Sequence, residues 1–384
     1  MKQKAQVVIV GGGVVGLSVA HHLAKLGLTD VVVLEADYVL SGASGRNGGG
    51  VRMQWGTKDN ILLAKESVKA FKRMSGELGI NIWFRQGGYL FITEREDRLP
   101  SMKSSVALQN SLGVKSRMVT PEDAGRIVPV LDTRGIVGGT FCKQDGVLYP
   151  WPVIWGLREA VVDSGIEYHD FTRVERIDVQ GGKVKGVSTT NGNIECQVVV
   201  NAAGGHSDQV ARLAGLRAPN YPTKHNIIVT ESLKRFLDPM VASLDTGIYF
   251  SQTMRGEIIG GLATREERTH DLTPDLEFLK EMARQLVRLV PRMRSAKVLR
   301  QWAGLYDMTP DENPILGGTA ALEGFVFACG LCGHGFMVAP AVGRLVAEEI
   351  AGKKPPMPAE WRYDRFGDGG ALANPGKKEP MALG

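Results

Sequence analysis

The sequence predicts an α/β protein, α+β overall, in which a domain with a parallel sheet is interleaved with a domain built on a mostly antiparallel sheet. Two observations carry this prediction. The first is a complete β-α-β unit, with apolar strands at Val7–Val10 and Val31–Leu34 and a helical pattern at Val14–Lys25 that Gly27 ends. The second is the later alternation of β-branched runs with helical patterns, which indicates a sheet domain interrupted by insertions.

The remaining elements are predicted from apolar spacing and from turn residues. Asn191 and Gly192 predict a hairpin turn, because this pair accepts positive φ at both central positions. Apolar residues at helical spacing predict helices over 59–78, 121–130, 155–163, 276–289 and 339–350. Alternating or β-branched runs predict strands over 88–93, 184–189, 194–201 and 325–328, with strand signals also across 166–179 and 247–261.

We expect the parallel sheet to combine three separated parts of the chain: the start, the run near Val198–Asn201 and the run near Phe325. The inserted segments would form the second domain. The predicted boundaries are 1–80, 141–210 and 300–365 for the first domain, 81–140 and 211–299 for the second, and 366–384 for a tail that is loose or packed on a partner.

Composition indicates an ordinary globular protein of 384 residues, 43% hydrophobic and 23% charged. The net charge of +5 comes without a basic run interleaved with aromatics, so we predict no nucleic-acid partner. Four scattered cysteines indicate a reducing compartment, and no metal site is predicted. Met1–Gln6 is polar and leads straight into a strand, so we expect no leader. No apolar run approaches about 20 residues, and we expect a cytoplasmic protein without a transmembrane segment. Peripheral attachment at the inner face of the membrane stays open.

The pattern Gly11-x-Gly13-x-x-Gly16 lies between the first strand and the first helix. Gly11 permits the tight turn, Gly13 lets a diphosphate approach the backbone, and Gly16 lets the helix pack closely on the strand. Glu35 ends the second strand, where a carboxylate can accept both hydroxyls of a ribose. A glycine-rich turn alone would be weak evidence. Strand, glycines, helix, strand and acid in this order predict dinucleotide binding.

A second glycine-rich segment, 41–52, follows the second strand. It carries Ser44, Arg46, Asn47 and Arg52 among its glycines, so it offers hydroxyls, guanidinium groups and backbone N–H groups near the first glycine turn. A flexible surface loop is the alternative, but such loops are typically built from Ser and Gly alone. The segment suits the far end of a diphosphate and a ribityl chain, which favours FAD over NAD.

Five motifs extend over nearly the whole chain: ASGRNGG at 43–49, NAAG at 201–204, WAGLY at 302–306, TPDENP at 309–314 and GHGFMVAP at 333–340. With them the sequence resembles the D-amino-acid-oxidase-like (DAO) family of FAD-dependent oxidoreductases. The resemblance is to the branch of sarcosine oxidase β subunits and dye-linked L-proline dehydrogenase β subunits. It implies a Rossmann-like FAD-binding domain, a substrate domain with a large sheet, and oxidation of a secondary amine or amino acid.

The resemblance also assigns residues to FAD. Val174 would meet the adenine through its backbone, and Gly204 would lie against the diphosphate. The Gly333–Met337 turn would place helix N-terminal N–H groups at the pyrimidine end of the flavin. The full set of predicted cofactor-binding residues is Gly11, Gly13, Val14, Val15, Gly16, Glu35, Ala36, Ser44, Arg46, Asn47, Gly48, Gly49, Val174, Ala203, Gly204, Gly304, Gly333, His334, Gly335, Phe336 and Met337.

Departures from the family pattern refine the expectation. Some relatives attach FAD to a cysteine in 304–306, and this chain has none there, so FAD should be non-covalent. Other relatives attach FMN to a histidine in 148–151, and this chain has none there. The lysine with which some relatives use oxygen aligns near Ile258, whose apolar side chain favours a dehydrogenase over an oxidase. The Cys329-x-x-Cys332 pair could suggest redox chemistry, but we interpret both residues as small packing groups.

The resemblance implies three residues for the substrate pocket. Arg52 matches a family position whose guanidinium binds the substrate carboxylate, and an ion pair within its own loop is the alternative. Tyr249 and His225 resemble pocket residues of the proline dehydrogenase branch, although His225 is equally compatible with a structural role. Met337 replaces a second carboxylate-binding lysine of some relatives.

We therefore expect an FAD-dependent dehydrogenase that oxidises L-proline or a sarcosine-like N-alkyl amino acid to the imine by hydride transfer to flavin N5. Electrons would pass to a partner subunit or another acceptor. The resemblance implies a hetero-oligomer, with FMN or an iron–sulfur centre in partner subunits. Two alternatives stay open: a stand-alone, oxygen-using oxidase of glycine or D-amino acids, and a non-catalytic flavoprotein subunit of a complex.

Overall fold

This computed structural model describes residues 1–263 and 268–367. The helices are α1 (Val14–Lys25), α2 (Lys58–Leu78), α3 (Leu99–Ser111), α4 (Pro121–Ile127), α5 (Pro150–Asp163), α6 (Ser207–Leu213), α7 (Leu276–Leu289) and α8 (Gly335–Ile350). The strands in the first half are β1 (Val7–Val10), β2 (Val31–Leu34), β3 (Gly50–Val51), β4 (Tyr89–Thr93), β5 (Ser116–Val119), β6 (Gly138–Cys142), β7 (Gly146–Val147), β8 (Glu167–His169), β9 (Val174–Gln180) and β10 (Lys183–Thr189). The later strands are β11 (Gly192–Glu195), β12 (Val198–Asn201), β13 (Tyr221–Ser232), β14 (Met240–Ser243), β15 (Ile248–Gln252), β16 (Glu257–Leu262), β17 (Val298–Met308), β18 (Ile315–Thr319) and β19 (Leu322–Cys329).

The first sheet runs in the order β11-β10-β19-β12-β1-β2-β8, with β18 paired to β19 and β9 paired to β10. β1 lies parallel to β2 and β12, and β12 lies parallel to β19. The predicted combination of the start, 198–201 and 325–328 in one parallel sheet is confirmed. Val10, Leu34 and Asn201 are register partners that end three neighbouring strands at the same edge. The segments that follow these strands therefore meet there.

The second sheet runs in the order β17-β13-β16-β15-β14-β4-β6-β5. β14 and β4 are parallel, and the other neighbours are antiparallel, which confirms a mostly antiparallel second sheet. β17 belongs to this sheet up to Met308, although most of it lies within the segment 300–365 that we assigned to the first domain. The domain boundaries otherwise stay a prediction.

Apolar side chains cover both faces of the first sheet. Val7 and Ile9 join the core cluster shared with α1, α2, α5 and α8, whereas Val8 joins a second cluster on the opposite face. Burial on both faces explains the continuous β-branched runs of these strands. Phe278 and Met282 of α7 pack in a third cluster against the second sheet. In the part of the chain that the structure describes, no helix is both long and apolar enough to cross a membrane.

Four predicted elements are wrong in extent. α5 begins at Pro150 rather than at Trp155, and α8 begins at Gly335 rather than at Ala339. The helix expected over 121–130 ends at Ile127, because Val128 precedes Pro129 and the residue before a proline disfavours helical angles. The strand expected over 194–201 is two strands, β11 and β12. β11 forms the hairpin with β10, and β12 pairs in parallel with β1. Alternation along one segment cannot show that its two halves have different partners.

The sequence analysis missed α3, in which Met102 and Gln109 are the buried residues, so it presents little apolar periodicity. The start of the predicted tail is also corrected. Phe366 is buried in the second core cluster rather than loose. The rest of that tail, 368–384, lies outside the described residues.

Candidate active site

A cavity of about 530 Å³ opens at the carboxyl edge of the first sheet and extends to the second sheet. Its walls come from the glycine turn after β1, the ends of β2 and β12, the segment before β3, strands β13, β15 and β17, and the start of α8. Open α/β sheets bind ligands at this edge, and the volume is in the range of small-molecule sites.

The glycine turn has the geometry that the sequence predicts. Gly11 has a φ of +110°, and a Cβ there would lie 2.4 Å from the Ala202 carbonyl oxygen. A Cβ on Gly16 would lie 2.0 Å from the Gly11 carbonyl oxygen, so α1 packs on β1 only without a side chain at this position. Gly16 therefore serves packing and does not line the cavity, and its assignment as a cofactor-binding residue stays a prediction.

Glu35 lies at the end of β2 with its carboxylate already held in place. Oε2 accepts a hydrogen bond from the Gly12 amide at 3.0 Å, and Oε1 accepts one from the Asp37 amide at 3.0 Å. Burial raises the pKa of Glu35 above its ordinary value, and the two amide bonds oppose that rise. The side chain lines the cavity. Its carboxylate is already oriented by the two amides, so it can accept hydrogen bonds from ribose hydroxyls without rearranging.

The segment 41–52 is braced by its own polar side chains. Arg46 donates from Nε to the Ser41 carbonyl at 2.8 Å and from Nη1 to the Ala303 carbonyl at 3.0 Å. Asn47 accepts from the Gly49 amide at 2.8 Å. The Ser44 hydroxyl accepts from the Val14 amide at 2.9 Å and so joins the loop to the start of α1. Arg46 and Asn47 therefore shape the loop, and Arg46 keeps N–H groups beyond the two engaged in these bonds.

All predicted cofactor-binding residues except Gly16 line this one cavity. The space between the glycine turn and the loop is narrow, since a Cβ on Gly13 would lie 2.9 Å from the Ser44 hydroxyl. Backbone N–H groups at the starts of α1 and α8 can bind phosphate and a polar ring edge. This donor set fits a dinucleotide such as FAD, although the contacts of individual residues with it stay a prediction.

Arg52 is the buried cation of the cavity, with 1% of its surface exposed. Nη1 donates to the Gln54 carbonyl at 2.8 Å, and Nη2 lies 3.2 Å from Nε2 of His334. The guanidinium carbon lies 3.8 Å from the centre of the Trp55 ring. Within residues 1–263 and 268–367, no acidic side chain forms an ion pair with it, so the alternative of an ion pair within the loop has no support there.

His334 is neutral in this arrangement. An arginine N–H can only donate, so Nε2 of His334 accepts and the ring proton lies on Nδ1. Burial, with the nearby Arg52 charge, lowers the pKa of His334 well below its ordinary value. Nδ1 is buried and has no hydrogen bond of ordinary geometry among the described residues, although the Cys332 carbonyl lies near the ring. A donor is therefore left available at the start of α8.

His225 and Tyr249 line the cavity opposite the loop. Nε2 of His225 lies 3.0 Å from the Tyr249 hydroxyl, and the imidazole stacks on the Tyr306 ring with centres 4.4 Å apart. Burial lowers the pKa of His225 to about 4 and raises that of Tyr249 well above its ordinary value. The two side chains form a neutral aromatic wall, so His225 combines a structural role with a place in the pocket.

Several pocket residues were missed in the sequence. Tyr89, Met240 and Tyr306 line the cavity beside Arg52. Tyr306 is the last residue of the WAGLY motif at 302–306, so the sequence did contain a signal that could have identified it. Asp145 and Gln54 hold the chain around Arg52, and no motif marked them.

Ile258 does not face the cavity, which corrects the argument drawn from it. Its side chain is buried in the third core cluster on the other side of the second sheet. The described residues that line the cavity nonetheless include no lysine. Cys329 and Cys332 are buried free thiols, and burial raises the pKa of Cys332 to about 12, which suits packing groups rather than reactive ones.

Comparison with known proteins agrees with this geometry. The family described as DAO, FAD dependent oxidoreductase, matches residues 6–349. The sarcosine oxidase subunit beta of Rhodobacter capsulatus is 29% identical over 373 residues, which cover 96% of this chain and 90% of that protein.

Solved structures are similar over nearly the full length. The crystal structure of L-proline dehydrogenase from P. horikoshii has a TM-score of 0.92 and 35% identity, covering 97% of this chain and 100% of that one. Glycine oxidase from Bacillus cereus has a TM-score of 0.82 and 25% identity, covering 91% of this chain and 96% of that one. The fold class expected from the sequence is confirmed.

Proposed function

This chain belongs to the DAO family of FAD-dependent oxidoreductases, and we propose that it is a dehydrogenase of a secondary amine or imino acid, of the L-proline or sarcosine type. One observation carries the proposal. The fully buried Arg52 faces the same cavity as the glycine turn and has no acidic partner in the described residues. The buried Asp145 carboxylate influences Arg52 only electrostatically and forms no ion pair with it, so the guanidinium can take a carboxylate from a ligand.

Arg52 would bind the substrate carboxylate, and the stacked rings of His225 and Tyr306 would form the wall for its apolar part. A small cyclic or N-methylated amino acid fits these surroundings. Similarity to the proline dehydrogenase and to the sarcosine oxidase subunit beta supports the same substrate class.

The pocket would also favour the neutral amine over the ammonium form. The Arg52 charge and the apolar aromatic wall both disfavour a second cation, whereas His225 and His334 are neutral and do not compete for the carboxylate. An uncharged nitrogen is required before the adjacent carbon can release its hydrogen with the bonding electrons. When bound, FAD supplies the two-electron acceptor for that hydrogen.

Electrons would leave through a partner subunit or another acceptor instead of oxygen. The support is a cavity whose described lining holds no lysine that could stabilise superoxide. We therefore propose that the chain is one subunit of a hetero-oligomer whose other subunits carry FMN or an iron–sulfur centre. A cytoplasmic location is also part of the proposal, supported by the four free cysteines, which are typical of a reducing compartment.

The test is anaerobic reduction of the FAD-loaded chain by a panel of L-proline, sarcosine, glycine and D-amino acids. We expect L-proline or sarcosine to bleach the flavin fastest, and an artificial dye to reoxidise it faster than oxygen does. Steady hydrogen peroxide formation by the chain alone would favour the oxidase alternative. Bleaching by no substrate, with or without candidate partner subunits, would favour a non-catalytic subunit.

A further inference from the structure

Arg52 is held by the chain that immediately follows it. Its Nη1 donates to the Gln54 carbonyl at 2.8 Å, and the Trp55 indole donates back to the Arg52 carbonyl at 3.2 Å. The Trp55 ring also covers the guanidinium, with the guanidinium carbon 3.8 Å from the ring centre. The direction of the guanidinium therefore depends on where the main chain of 53–55 lies.

Asp145 anchors that stretch of main chain from a different segment. Its carboxylate is fully buried and accepts from the Met53 amide at 2.9 Å and from Nε2 of Gln54 at 3.0 Å. The Gln54 side chain donates as well to the Tyr89 carbonyl at 2.9 Å. The Asp145 carbonyl in turn accepts from the Gly88 amide at 3.0 Å, so the anchor is tied to the strand that starts at Tyr89.

We propose that Asp145 is a positioning residue, which aims the Arg52 guanidinium at the substrate carboxylate by fixing the Met53–Gln54 main chain. This inference rests on the proposed function, because it takes Arg52 as the group that binds the carboxylate. Asp145 itself does not line the cavity. Its effect runs through the Gln54 carbonyl, which accepts from Arg52.

The surroundings of Asp145 agree with this role. Burial raises the pKa of Asp145 to about 7, while the hydrogen bonds from Gln54 and Met53 and the Arg52 charge favour the ionised form. An ionised carboxylate accepts one hydrogen bond at each oxygen, whereas the amide of an asparagine would direct its own N–H groups at one of the two donors. Burying a carboxylate lowers the stability of the fold through lost hydration, so its presence here is explained if the main-chain geometry that it fixes serves substrate binding.

The experiment compares two unreactive ligands, pyrrole-2-carboxylate and pyrrole-2-carboxamide, binding to the FAD-loaded full chain at a fixed alkaline pH by isothermal titration calorimetry. Asp145→Asn should weaken binding of the carboxylate by about tenfold and leave the carboxamide within about twofold, because groups in one hydrogen-bond network are energetically coupled. A merely structural loss would weaken both ligands equally. Steady-state kinetics should show the matching pattern, with KM raised more than kcat is lowered.

A second variant keeps the test decisive if Asp145→Asn does not fold. Gln54→Leu removes the side-chain bond to Asp145 without changing any charge, and it should weaken the carboxylate selectively by about threefold. Asp245→Asn is the control, since Asp245 likewise accepts a backbone amide bond, from Glu94 at 2.6 Å, but does not line the cavity. It should leave the ratio of the two dissociation constants unchanged.

Two results would overturn the inference: an unchanged ratio in both variants, or tighter carboxylate binding in Asp145→Asn, which would make Asp145 a competing anion. Failure of the proposed function gives a different result. In that case the unmodified protein itself would bind carboxylate and carboxamide with equal affinity.

Discussion

The Arg52 guanidinium donates to Nε2 of His334 at 3.2 Å, and this contact joins the segment after β3 to the turn that starts α8. The two residues belong to glycine-rich motifs more than 250 positions apart in sequence. One motif supplies the predicted carboxylate-binding group and the other a predicted flavin-binding turn. Their contact would therefore bring the proposed substrate end of the cavity beside the proposed flavin end.

Replacing Arg52 by lysine should raise KM for a carboxylate-bearing substrate by about 10- to 100-fold, because a hydrogen bond to a charged group contributes ~1.5–3 kcal/mol. Lysine keeps the charge but loses the planar fork and the stacking on Trp55. Steady-state kinetics with proline and prolinamide checks this. Arg134→Lys, on an exposed side chain, is the control and should match the unmodified protein. An equal effect on both substrates would contradict a carboxylate role.

Acid should destabilise the protein through His225. Its pKa is lowered from 6.5 to about 4 in the fold, so the unfolded chain binds the proton more readily. The stability that depends on the neutral imidazole is present above pH 6.5 and is lost as the pH falls towards 4. The full loss is about 3 kcal/mol, from 1.36 kcal/mol per pKa unit. Urea unfolding between pH 4 and 7 measures it.

The variant His225→Gln should reduce that dependence by about 3 kcal/mol, whereas Tyr249→Phe should keep it. The remaining dependence comes from other buried histidines, since burial also lowers the pKa values of His21 and His22 to about 4. Tyr249→Phe breaks the same 3.0 Å contact without removing the titrating group. If the unmodified protein and His225→Gln lost stability in parallel as the pH fell, His225 would not be the group responsible.

Much of the cofactor side could be predicted from the sequence, because its residues are contiguous. Gly11 and Glu35 lie in one β-α-β unit, and local order alone places them together. The support around Arg52 could not be predicted. Asp145 reaches Met53 only because β7 pairs with β3, two strands of two residues each that carry no periodic signal. The prediction about Ile258 failed for a different reason. Matching a residue to a family position does not show which face of the sheet its side chain lies on, and Ile258 lies on the face away from the cavity.

Adding a methyl group at Gly13 should weaken FAD binding. The Cβ of Gly13→Ala would lie between the turn and Ser44, 2.9 Å from its hydroxyl, where the diphosphate must approach. Loss of about one charge-assisted hydrogen bond corresponds to about tenfold or more in affinity. Fluorescence titration of the apoprotein with FAD measures this. Gly76→Ala is the control, since a Cβ there would meet no atom within 4 Å outside its own stretch of helix, and its titration should be unchanged.

Glu35→Gln should also weaken FAD, by about tenfold, since an amide cannot accept from both backbone amides and from a ribose as a carboxylate does. The same titration with FMN, which lacks the adenosine, should show no change. Equal weakening of FAD and FMN would indicate that the variant disturbs the fold around β2 instead of a ribose contact.

The most direct test of the central claim is an anaerobic titration of the purified, FAD-reconstituted chain with L-proline and with prolinamide, followed by the flavin spectrum. A buried Arg52 beside the flavin predicts that the protein retains FAD and that the carboxylate bleaches it at much lower concentration than the amide. A chain that stays colourless with FAD, binds NAD in the same cavity, or is bleached equally by both ligands would contradict the account.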